Sequence, residues 1–162
     1  MSFSEQTFER FAREVAKNPA DQKPSAVMAC LSIVQQEQGW VSADAEASVA
    51  AYLGMPPMAV HEVTTFYNMY NQQPVGRFKL NVCTNLPCQL RKGQQALAHL
   101  CSKLGIEPGG TSADGLFTVQ QSECLGACAD APVLLVNDRQ MVSNMSNDRL
   151  DDLVDTLKAQ AQ

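Results

Sequence analysis

The stretch RFKLNVCTNLPCQL, residues 77–90, decides how the chain is read. Phe78, Leu80 and Val82 alternate with Lys79 and Asn81, the period of a strand with one face buried and one facing water. Cys83 closes that strand. Pro87 then opens a helix expected to run to about Leu104, because proline in a first turn gives up no helical hydrogen bond. Leu90, Leu97, Leu100, Cys101 and Leu104 form its apolar stripe. The passage from strand to helix therefore carries Cys83 and Cys88 as a Cys-x4-Cys pair, with Cys88 in the first helical turn.

Downstream, Pro108-Gly109-Gly110 makes a loop, and three short strands follow near 116–122, 132–137 and 140–143. The last two are joined by a turn at Asn137-Asp138. A final helix starts at Ser146 or Asn147 and turns Leu150, Leu153, Val154 and Leu157 inward. Between the first two of these strands lies ECLGACADAP, 123–132, which supplies Cys124 and Cys128 as Cys-x3-Cys. Both pairs follow strands, so if those strands are neighbours the two loops leave one edge of the sheet and converge. Strand, helix, three strands and helix suit a small sheet covered by helices, as in an abbreviated thioredoxin-like fold.

Upstream, Pro74-Val75-Gly76 marks a break, and the text from Phe3 to about Tyr70 is helical in period. Phe8, Phe11, Ala12 and Val15 share one face of a helix ended by Asn18-Pro19. A second helix begins near Pro24-Ser25, aligns Val27, Cys30, Leu31 and Val34, and stops at Gly39. Ser42 caps a third, ending at Leu53-Gly54. Pro56-Pro57 opens a fourth, with Val60, Val63, Thr64 and Tyr67 on one face. The expected fold class is α+β: a helical N-terminal domain over 1–73, then a small thioredoxin-like domain over 74–162 that carries both cysteine pairs.

Four cysteines gathered as two pairs suit one tetrathiolate site. A 2Fe-2S centre takes two thiolates per iron and carries a formal charge of about minus two when oxidised and about minus three when reduced. Helix amides following Pro87 would offset that charge near Cys88, and Gly126 would let backbone amides approach the sulfides. Structural zinc also uses four cysteines, although zinc ribbons favour Cys-x2-Cys knuckles, so spacing leaves both metals open. Thiol–disulfide chemistry fits less well, since the first pair is not Cys-x2-Cys and the second pair would have no part in it. Cys30 and Cys101 lie on apolar stripes and read as small core hydrophobes. His61 and His99 stand apart from the cysteines, against a Rieske-type centre.

Composition narrows the role. A net charge of −5 lacks the basic footprint that nucleic acid requires, and the helical run from Met58 to Tyr70 contains no Lys or Arg, so no nucleic-acid partner is expected. Met55, Met58, Met69, Phe66, Tyr67 and Tyr70 suit a docking surface and core packing equally. The first residues show neither a signal core nor a transit segment, which predicts a cytoplasmic protein with its six cysteines kept as thiols or metal ligands. No stretch approaches the roughly 20 apolar residues that span a bilayer, so no direct membrane insertion is expected. There is no GxGxxG or GxxxxGK fingerprint for NADH, flavin or ATP, and no catalytic residue is assigned. A one-electron centre without a substrate site belongs in an assembly.

The chain resembles the small 2Fe-2S subunit of the NADH-dehydrogenase module of respiratory complex I, known in bacteria as the E subunit. The resemblance rests on EQGWVS (37–42), YLGMPP (52–57), VTTFYNMY (63–70), PVGRFKLNVCTNLPC (74–88), TSADGLFTV (111–119) and ECLGACADAPVLLVND (123–138). It implies cluster ligation by Cys83, Cys88, Cys124 and Cys128. It also implies a partner subunit that binds NADH and FMN, further iron-sulfur subunits, electrons drawn from that flavin, and a place on the cytoplasmic face of the inner membrane through the complex. Similar subunits occur in NAD-dependent formate dehydrogenases and NAD-reducing hydrogenases; CTNLPC and FYNMY look closer to the complex I type.

Overall fold

The structure, a computed structural model, describes residues 3–161. It comprises two compact units divided between Pro74 and Val75.

The first unit is helical: α1 (Glu5–Val15), α2 (Val27–Gln38), α3 (Ala43–Leu53) and α4 (Pro57–Phe66), with a 3-10 turn at Lys23–Ala26 leading into α2. Side-chain oxygens of Ser4 and Ser42 accept from the amides of Thr7 and Ala45, capping α1 and α3. Gly39 and Gly54 end α2 and α3 in the left-handed conformation, which glycine adopts without a Cβ penalty. Phe11, Cys30, Leu31, Val34, Val49, Ala50, Leu53, Val60 and Tyr70 lie in its core.

The inward face of α1 is rotated from the predicted one. Thr7 and Phe11 are buried while Ala12 is exposed, because the Thr7 hydroxyl donates to Glu37 of α2 at 2.7 Å and turns that side inward. Tyr67 lies beyond the end of α4 in extended backbone rather than on its packed face. The methionine and aromatic group divides: Tyr70 is buried, Met55 and Met69 pack against the core, and Met58, Phe66 and Tyr67 are exposed.

The second unit is built on a four-stranded sheet in the order β2-β1-β3-β4, formed by β1 (Phe78–Cys83), β2 (Phe117–Ser122), β3 (Leu134–Val136) and β4 (Gln140–Val142). β1 and β2 run parallel, so their connection crosses over through helices α5 (Leu86–Leu90) and α6 (Gly93–Leu104). β3 pairs antiparallel with both β1 and β4, and α7 (Asn147–Ala161) closes the chain. Leu80, Phe117, Leu134, Leu97, Leu100, Leu150 and Val154 fill the core between sheet and helices. The fold class is α+β.

Two local expectations are corrected. β1 is buried along its whole length, because it occupies a central place in the sheet rather than a wet edge. Lys79 and Asn81 are compensated there by Asp138, which pairs with the Lys79 ammonium at 2.7 Å and accepts from the Asn81 amide. Asp138 reaches them from the predicted turn, where Asn137 and Asp138 take φ of 51° and 54°, and the Asn137 side chain accepts from the Lys79 amide at 2.7 Å. The expected single helix from Pro87 to Leu104 is two helices. Arg91 and Lys92 donate back only three residues, to Cys88 and Gln89, and Lys92 turns left-handed at φ 71°, which ends α5 and redirects α6. Leu90 consequently faces solvent instead of joining the stripe.

Candidate metal centre

The register of the two parallel strands sets the site. Cys83 of β1 lies opposite Ser122 of β2, and both strands end there in the same direction. The first loop leads from Cys83 to Cys88 in α5, and the second leads from Ser122 to Cys124 and on to Cys128 at a 3-10 turn, Cys128–Asp130. A direct bond ties the loops together: Asn85, whose Oδ1 accepts from the Leu86 amide at the start of α5, donates from Nδ2 to Glu123 Oε2 at 2.7 Å. Leu125 and Ala127 of the second loop pack against a small apolar cluster made by Cys83, Cys88, Ala131 and Val133.

The cysteines fall into an inner and an outer pair. Cys83 and Cys88 are buried; Cys124 and Cys128 are exposed, with sulfurs 3.7 Å apart. The Val133 carbonyl accepts from the Cys83 amide at 3.1 Å. Burial pushes the Cys88 thiol above its ordinary range against the opposing pull of the Val133 backbone, and the neighbouring Cys83 and Cys128 push it further. Cys128 is raised first by its hydrogen bond with Cys124, then by desolvation and by the charges of Cys124 and Cys83. The charges that raise Cys88 and Cys128 thus reach from one pair to the other.

These donors fit a binuclear iron centre. Tetrahedral ligation with metal–sulfur bonds of about 2.3 Å sets two sulfurs about 3.8 Å apart, and the Cys124–Cys128 spacing of 3.7 Å meets that. A 2Fe-2S cluster takes its thiolates two to an iron, and the cysteines stand as two pairs. A cation at the site would also replace the protons that crowding holds on Cys88 and Cys128.

The remaining candidates lie elsewhere. Cys30 is buried in the helical unit, where burial lifts its thiol to about 12, followed by the charge of Glu14 and opposed by Lys23. Cys101 is buried on α6. His61 bonds Glu46 at 3.0 Å and His99 bonds Asp151 at 2.8 Å. Sequence reasoning did not single out Asn85, Glu123 or Val133; an asparagine ahead of Leu-Pro is a legible helix cap, whereas a backbone amide carries no side-chain signal at all.

Comparison with known proteins places this geometry. Residues 11–158 match the family model of the thioredoxin-like 2Fe-2S ferredoxin. NADH-quinone oxidoreductase subunit 2 of Thermus thermophilus is 39% identical over 157 residues, an alignment that covers 97% of this chain and 83% of that protein. The E 2 subunit of NADH-quinone oxidoreductase from Rhizobium meliloti is 41% identical, over 83% of this chain and 80% of that protein. Among solved structures, an NAD+-reducing NiFe-hydrogenase in the H2-reduced state superposes with a TM-score of 0.71 at 25% identity, over 83% of this chain but only 22% of the hydrogenase chain. With a fold, two cysteine pairs and a family match that all agree, the chain belongs to the thioredoxin-like 2Fe-2S ferredoxin family, alongside the E subunits of NADH-quinone oxidoreductase.

Proposed function

We propose that Cys83, Cys88, Cys124 and Cys128 ligate one 2Fe-2S cluster and that the chain is an electron-transfer subunit of an NADH-quinone oxidoreductase. The observation that carries this reading is the departure of both cysteine loops from the same end of two adjacent parallel strands, tied together by the Asn85–Glu123 bond at 2.7 Å. The bound cluster supplies a reversible one-electron change at thiolate-held iron. The chain's own part is to hold and tune it. Cys83 and Cys88 anchor the centre to the sheet, the Val133 backbone and the loop glycine Gly126 favour the negatively charged form, and the Asn85–Glu123 bond keeps the loops together.

The helical unit and the cluster-bearing unit, divided between Pro74 and Val75, serve as separate domains of this subunit. Its partner is a subunit that binds NADH and FMN, and further iron-sulfur subunits complete the assembly, which sits against the cytoplasmic face of the inner membrane. No helix of the described residues is long and apolar enough to cross a membrane, so that attachment runs through other subunits. The identities of 39% and 41% with the quinone oxidoreductase subunits support that assignment over the alternative of an equivalent subunit in an NAD-reducing hydrogenase, where the identity is 25%; an equivalent subunit of an NAD-dependent formate dehydrogenase is the other alternative.

Isolation of the native complex from its cells tests the assignment. An FMN-containing, NADH-oxidising partner together with membrane subunits is the expected outcome. Co-isolation with a nickel or molybdenum enzyme would transfer the chain to the related complexes instead, and a zinc-loaded chain without redox partners would make it a structural interaction module.

A further inference from the structure

Gly93 is buried at the first position of α6, directly after the left-handed Lys92. A Cβ at that position would meet the Cys83 carbonyl oxygen at 2.8 Å, the Cys88 carbonyl oxygen at 2.9 Å and the Cys88 carbonyl carbon at 3.0 Å. All three are backbone atoms, which cannot rotate away as a flexible side chain would. A side chain at 93 therefore requires α6 to withdraw or the inner cysteine loop to shift. The start of α6 is also electrostatically bare: the Lys92 side chain makes no capping bond, and the first turn contains no acidic residue. Its end of the helix dipole is positive, equivalent to about half a unit charge over twelve residues' worth of aligned peptides.

We propose that Gly93 is a positioning residue for the inner thiolate pair. By lacking a side chain it seats the positive end of α6 against the backbone of both Cys83 and Cys88, and this contact raises the reduction potential of the centre they hold. The direction follows from charge: reduction adds one negative charge to the cluster, and a nearby positive end favours the more negative state. The inference rests on the ligand assignment proposed above.

The test is Gly93→Ala in the full chain, with iron and sulfide content, the EPR spectrum of the reduced protein, the midpoint potential and thermal denaturation all measured. The expected result is a retained cluster with a lower midpoint potential and a changed EPR spectrum. An unchanged potential and spectrum in a fully loaded variant overturns the proposal, even if the melting temperature falls, because Gly93 would then serve packing alone. If Gly93→Ala does not fold, Gln95→Glu adds a negative charge at an exposed position in the same turn. It is expected to lower the potential more than Ser102→Glu in the last turn of α6, and equal or absent shifts overturn the proposal. Wild-type protein without iron and sulfide would defeat the ligand assignment itself, whereas loaded wild type with an unmoved potential in the variants defeats only the role of Gly93.

Discussion

Cys83 and Cys88 are 2% and 1% exposed, whereas Cys124 and Cys128 stand at the surface, so the two cysteine pairs occupy different environments. The inner pair belongs to the architecture. Cys83 is the last residue of a central strand, Cys88 lies in α5, and the Val133 carbonyl of the opposing segment accepts from the Cys83 amide. The outer pair is held by a loop whose apolar residues, Leu125 and Ala127, pack inward while its sulfurs point to solvent. Under the ligation proposed above, the buried pair anchors the centre to the sheet and the exposed pair presents it to solvent.

The largest effect expected from this division is the response to ligand removal. Cys88→Ser and Cys124→Ser should each abolish or alter the EPR signal of the reduced protein, but they should differ in what they do to the metal-free chain. A hydroxyl placed in the Cys88 pocket costs about 1–3 kcal/mol in urea denaturation, whereas the exposed Cys124 tolerates the exchange within about 0.5 kcal/mol. Equal losses of stability would erase the distinction. Next comes thiol reactivity: in metal-free protein, Cys124 and Cys128 should be alkylated at least about tenfold faster than Cys83 and Cys88, because access rather than ionisation sets the order. Peptide mass spectrometry over a time course reads this directly, and uniform labelling would contradict it.

The smallest effect concerns a cysteine of neither pair. Cys30→Ser should leave the EPR signal intact, since Cys30 lies in the core of the helical unit. Its thiol is lifted from 9.0 to about 12 in the folded chain. Between those values the unfolded chain releases this proton while the folded chain keeps it, so stability falls as pH rises through the window and is unaffected below pH 9. The melting temperature of the metal-free protein should therefore drop less steeply from about pH 9 to about pH 10.5 in Cys30→Ala than in wild type.

Much of this arrangement was legible in the residues because the informative signals were local. Proline at the start of α4, glycine at the ends of α2 and α3, and the Asn137-Asp138 turn each impose a conformation on their own neighbours. The errors arise where a distant partner overrides a local pattern. Lys79 and Asn81 read as solvent-facing by alternation, yet a central strand has no wet face, and the carboxylate that rescues them comes from Asp138 on a later turn. The break between α5 and α6 falls on Lys92, a residue with no special preference for a left-handed backbone, so nothing in its type announces it. At the candidate centre the four cysteines are conspicuous, while the Val133 backbone that serves the inner pair is chemically identical to any other.

The most direct measurement is the iron and acid-labile sulfide content of freshly isolated, anaerobically handled protein, paired with EPR after reduction. About two irons and two sulfides per chain are expected, as a binuclear centre requires. One zinc per chain with no sulfide and no signal would contradict it.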